Sequence, residues 1–186
     1  MCFKVRTGVM NRLGCSMEKL AAEILWLGQK LAACGCAEEV VWKLAEASNL
    51  GWPALSAEPR LQGSLLKVSV FFFKQARDMD DKDETAEESN REEHRQTKLK
   101  MLTSWLPLLC VASNGTDIPV LSSGERAELE RILEETIETL EPEKEQEQVL
   151  SLWLHHFTCS VSSDWPNLHA SYTRWCNASR KLFLLQ

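Results

Sequence analysis

Apolar residues recur every three or four positions through almost all of this 186-residue chain, and that spacing puts them on one side of a helix rather than one face of a strand. In the first segment Met17, Leu20, Ile24, Leu27, Leu31 and Cys34 predict one dry face, with Gly35 placed for a C-terminal cap. "AEEVVWKLAEASN" predicts a shorter helix, with Glu38 and Glu39 favouring its positive N-terminal end. Gly51, Pro53 and Pro59 then break the pattern.

From Arg60 to Met79 two stripes share one segment. Leu61, Leu65, Val68, Phe72 and Met79 mark one side and Leu66, Val70 and Phe73 the other, as expected of an interior helix. "VSVFFF" alone could be a strand, but no partner strand of similar character exists elsewhere, so helix is the expectation. Leu99, Leu102, Leu106 and Leu109, with Trp105 beside them, form the next stripe, and Pro107 predicts a kink or an end there. "ASNGTDIP" is turn chemistry. Ser122 followed by Glu125 is a capping-box signature ahead of Leu129, Leu133, Ile137 and Leu140. Pro142 suits a first helical turn, and Leu150, Trp153, Leu154, Phe157 and Val161 continue that helix. Asp164 is the candidate cap and Pro166 the candidate first-turn proline of a last helix carrying Leu168, Tyr172, Trp175 and Leu182.

The expected fold is therefore all-α, six to seven helices packed as successive helical hairpins. Residues 1–16 are expected to be a flexible N-terminal segment and 17–186 a single helical domain, with a mobile acidic insertion at about 78–95. That insertion, "DMDDKDETAEESNREEHR", holds nine acids and three bases, which accounts for the whole net charge of −6, and beyond Met79 at its edge its one apolar residue, Ala86, offers too little burial to offset the entropy of ordering it.

Composition excludes several functions. The acidity is local and no basic stripe offsets it, so nucleic acid is not an expected partner. The longest apolar run, "VSVFFF", is far short of the about 18 residues a membrane span needs, and no membrane partner is expected. Lys4, Arg6 and Arg12 without an acid suggest a transit peptide in charge only, since serine richness is missing. Seven cysteines with no secretory leader read as free thiols in a reducing compartment, cytoplasmic or nuclear, where the sequons Asn114-Gly-Thr116 and Asn177-Ala-Ser179 carry little meaning. Thr85, beside Glu87 and Glu88, is a candidate phosphorylation target.

"SLWLHHFTCS" raises the question of chemistry most sharply. His155 and Cys159, four residues apart, could share a metal, and His169 or Cys176 could complete a zinc set. The helical wheel instead puts His155 and Cys159 on the wet side, opposite Trp153, with His156 at the margin of the dry stripe. Cys34-Gly-Cys36 lacks a matching second pair. No G-x-S-x-G turn or phosphate-cradling glycine loop occurs, and the paired carboxylates belong to solvated helix faces. The residues on their own lead to a helical module with no catalytic, cofactor-binding or metal residue, a zinc-binding protein or metal-dependent enzyme using His155 and Cys159 being the alternative. The seven tryptophans are expected mostly as core wedges.

Several strings, "LAAEILWLGQKLAACG", "RLQGSLLKVSVFFFKQAR", "SWLPLLC", "LWLHHF" and "DWPNLHASYTRWC" among them, resemble the C-terminal helical region of a plant family of BTB/POZ domain-containing proteins, from about Met17 to Leu185. The resemblance implies an interaction protein, a substrate adaptor for a cullin-RING ubiquitin ligase acting in protein ubiquitination, with ligase components or ubiquitination substrates as partners and no catalytic residue of its own. The alternating strands of a BTB module are not seen in this sequence, so a shortened relative or C-terminal piece is expected, of unknown oligomeric state.

Overall fold

The computed structural model of the chain describes residues 3–47, 54–80, 88–112, 120–141, 144–159 and 165–183. Among them the secondary structure is helical, with seven helices and no strand: α1 (Phe3–Ala33), α2 (Ala37–Glu46), α3 (Pro59–Asp80), α4 (Glu88–Ala112), α5 (Ser123–Glu138), α6 (Glu145–Cys159) and α7 (His169–Phe183). The expected all-α class is what the chain adopts. The packing is more interleaved than a row of hairpins. Its closest pairs are alternate helices, α1 with α3 and α4 with α6.

α3 is the interior rod that its two-sided pattern predicts. It packs against α1, α2, α4 and α5, and Leu65, Leu66, Val68, Val70, Phe72 and Phe73 are all buried. "VSVFFF" lies wholly inside this helix, where neighbouring helices on both sides reward its bulk and outweigh its modest β preference. Ser69, 0 % exposed, donates its hydroxyl hydrogen to the Leu66 carbonyl at 2.8 Å, so its polar group is paired. α4 does not end at Pro107; it continues to Ala112. Leu102, Trp105, Leu106, Leu108, Leu109 and Cys110 are each at most 1 % exposed. Burial of about 1.5–3 kcal/mol per large side chain outweighs the about 3 kcal/mol a helix-interior proline costs.

Helix ends obey local chemistry. Gly35 adopts φ 85°, while Cys36 N–H bonds the Leu31 carbonyl at 2.9 Å and Gly35 N–H that of Ala32 at 3.0 Å, the paired bonds of a Schellman stop. At α5 the Ser122 N–H bonds the Glu125 carboxylate at 2.8 Å and the Glu125 N–H returns to the Ser122 hydroxyl at 3.3 Å, which is the capping box. α7 starts at His169, later than Pro166 suggests. Pro166 is buried upstream of the helix, its carbonyl accepting the Trp153 indole N–H at 2.8 Å, and the Asn167 N–H is taken by Glu130 at 2.7 Å.

Two boundaries differ from expectation. α1 begins at Phe3, so most of the segment expected to be a flexible lead-in is helical and continuous with residues 17–33; in sequence, Val5, Val9 and Leu13 run into Met17 at intervals of four, with no proline between. Both ends of the expected acidic insertion are helical. α3 runs through Asp80 and α4 starts at Glu88, leaving 81–87, and Thr85 with it, outside the described residues. Glu, Lys and Arg tolerate helix, and the α4 end is tied down by Arg95, bonded to Glu145 at 2.7 Å, and His94, against Glu38 at 3.1 Å. Residues 113–119, Pro142, Val161 and Asp164 also lie outside the described residues.

Candidate protein-docking surface

The predicted dry face of α1 is where the structure departs most from the sequence pattern. Met17 is 46 % exposed, Leu20 53 %, Leu27 52 % and Leu31 37 %, and Cys34 is exposed. α1 is held to the core instead by Ala21, 2 % exposed, and the buried Gly28, with Ile24 and Leu25 half-covered. A Cβ on Gly28 would lie 3.0 Å from the Phe71 ring and 3.6 Å from Val40, so the missing side chain lets α1 sit close to α3 and α2. The apolar arc of α1 is thus wider than the surface its own chain covers. Ala21 and Gly28 occupy one flank at about 100° per residue, Leu20, Leu27 and Leu31 the next, and exposed Glu23 and Lys30 border the far edge. Beyond them Trp26, 59 % exposed, lies beneath the Lys30 ammonium at 5.9 Å.

The imidazole and thiol candidates take other places. His155 and Cys159 are both exposed on α6, as the wheel predicts. His155 stacks edge-on against His156 at 5.1 Å between centroids, and burial, followed by the charge of His155, holds the His156 pKa below its ordinary value. His169 sits edge-on to Trp153 at 5.3 Å and Phe157 at 5.7 Å. Cys176 bonds the Tyr172 phenol and pushes its pKa up. Among the described residues no group of three or more His, Cys, Asp or Glu side chains converges as a metal site, so His155, Cys159, His169 and Cys176 are not brought together. Cys110 is buried in α4, and desolvation raises its thiol pKa to about 12, which suppresses the reactive thiolate.

One polar cluster has no counterpart in the sequence pattern. Glu145, 6 % exposed, accepts from Arg95 at 2.7 Å, Gln96 at 3.1 Å and the Glu141 backbone N–H at 2.9 Å; Arg95 also pairs with Glu92. It locks α4 to the start of α6. No local pattern announces a contact between residues fifty positions apart. Trp105, Trp153 and Trp165 are core wedges, and the buried Trp42 Nε1 has no hydrogen-bond partner among the described residues.

No described helix is long and apolar enough to cross a membrane. Comparison with protein-family models, curated proteins and solved structures gave no match to this chain. The fold defines a class, an all-α domain with one large core, and the feature of it that points to activity is the uncovered stripe of α1.

Proposed function

We propose that the chain is a non-enzymatic protein-interaction module, the helical part of a BTB/POZ-type substrate adaptor for a cullin-RING ubiquitin ligase, working in the cytoplasm or nucleus. The observation that carries the docking role is the α1 stripe: four large apolar side chains, each more than a third exposed, stand side by side on a helix whose other flank is well packed. Contiguous apolar surface of that kind is where proteins bind proteins. The adaptor role is supported by the sequence resemblance, whose strings extend over α1 and on through α7. Partner capture tests both. The tagged chain is incubated with plant extract and bound proteins are identified by mass spectrometry, beside a Leu20→Glu/Leu27→Glu variant. The expected outcome is enrichment of cullin-RING subunits or BTB proteins that the variant loses. Equal recovery by both removes the α1 surface from the role, and absence of ligase components from both removes the adaptor assignment.

A further inference from the structure

We propose that the α1 stripe is covered by α1 of a second copy of this chain, the two helices running antiparallel about a two-fold axis that passes between Leu25 and Trp26. This rests on reading α1 as a docking face and names the occupant.

The spacing is the first argument. Met17, Leu20, Ile24, Leu27, Leu31 and Cys34 alternate steps of three and four, the heptad pattern that supercoiling helices use for a shared seam. Inside a globular domain such a stripe normally meets its own core. Here its Leu20, Leu27 and Leu31 positions face outward, so the seam is made but half of it is missing. A two-fold axis completes it with the same residues, since each contact then occurs twice: Leu20 opposes the partner's Leu31, Ile24 the partner's Leu27, and Met17 the partner's Cys34.

Charge supplies the orientation. The flank of the stripe turned away from the chain's own core carries Glu23 and Lys30, both exposed. In the antiparallel pairing Glu23 comes level with position 28 of the partner, about 3 Å along the axis from the partner's Lys30, so the two opposite charges pair twice. In a parallel pairing Glu23 would lie against Gly28 and Lys30 against Gly35, with no charge answered. Ala21 and Gly28, which bind α1 to its own body, occupy the opposite flank, so the charged flank is open to approach. The exposed apolar area, on the order of 400 Å² per copy, is at the size where a surface patch carries function. Two such patches total about 800 Å², below the about 1,200 Å² at which stable specific interfaces begin, so the association expected is weak and transient.

Analytical ultracentrifugation of the full chain across a hundredfold concentration range tests this directly. The expected result is a concentration-dependent monomer–dimer equilibrium that Leu20→Glu/Leu27→Glu abolishes with helicity unchanged. Glu23→Lys and Lys30→Glu should each weaken the dimer several-fold, and the two together should restore it. A short bis-maleimide should join Met17→Cys to the native Cys34 of the other copy, with peptide mapping to identify the pair. A chain that stays monomeric throughout overturns the proposal; if it also binds another protein through α1, the docking function survives and only self-association fails. A Cys34–Cys34 cross-link overturns the antiparallel order, because those thiols would be about 26 Å apart in it.

Discussion

Glu145 shows how one side chain can be decisive at the residue scale. A carboxylate this well buried is tolerable only because a guanidinium, an amide and a backbone N–H all donate to it. Glu145→Ala would leave the Glu141 N–H without its acceptor and Arg95 with Glu92 and Glu141 alone, and the expected loss is about 2 kcal/mol. Urea unfolding of the two proteins measures it, and a change below about 0.5 kcal/mol, the range of ordinary surface substitutions, would show that the cluster is decorative. Cys110 makes the opposite case, a potentially reactive group kept inert. With its pKa at about 12 and no exposure, it should resist alkylation in the native protein while Cys34 and Cys159, both exposed, react. Time-resolved labelling read by peptide mass spectrometry checks this; Cys110 reacting as fast as Cys34 would contradict the packing around α4.

At the scale of elements, stops and caps depend on a few atoms, and Gly35 separates backbone from packing cleanly. Its φ is 85°, yet nothing lies within 4 Å of where a Cβ would go. Gly35→Ala should therefore cost about 1 kcal/mol through conformation alone, and Gly35→Asn less, because asparagine enters the left-handed region more readily. Equal thermal stability of all three proteins would mean the α1–α2 turn relaxes to another form. Such local signals explain why much of the fold was legible: Gly35, the Ser122–Glu125 box and the stripes of α3, α4 and α5 each encode their answer within a few residues. At Pro107 the helix runs on instead of ending, because burial of its neighbours, a tertiary quantity, outweighs a local penalty. The α1 stripe misled in a more useful way. Its period correctly declared a helix with an apolar face, but periodicity cannot say whether the chain's own core covers that face, and the residues that do touch the core, Ala21 and Gly28, are too small to stand out. The exposed positions of His155 and Cys159 were readable from the wheel, whereas the bond from Arg95 to Glu145 across fifty residues was not.

For the whole molecule the groups with shifted acidities combine into a dependence of stability on pH. His156 is held below its ordinary 6.5 by burial and by His155. The fold therefore prefers the neutral ring, and its contribution is complete above about 6.5 and lost as the pH falls through the lower folded value. Glu125 is lowered first by the Ser122 N–H and Glu128 first by Lys74, at 2.6 Å. Both favour the carboxylate in the fold, so their contributions are complete above about 4.5 and fade as acidification proceeds through the folded values. Cys110 acts at the other end, its raised thiol favouring the fold at neutral pH and withdrawing that support as the pH climbs past 9 toward 12. Stability should thus form a plateau near neutrality with a shallow first decline below about 6.5 and a second below about 4.5. Glu125 is exposed and Glu128 half-exposed, so the second decline should shrink in high salt, while the first, rooted in desolvation, should not. Urea midpoints from pH 9 to 3, at low and high salt, trace the curve. His156→Gln should flatten the decline that begins near 6.5 and leave the later one in place; a variant that still loses stability there would move the origin of the acid response away from the α6 margin.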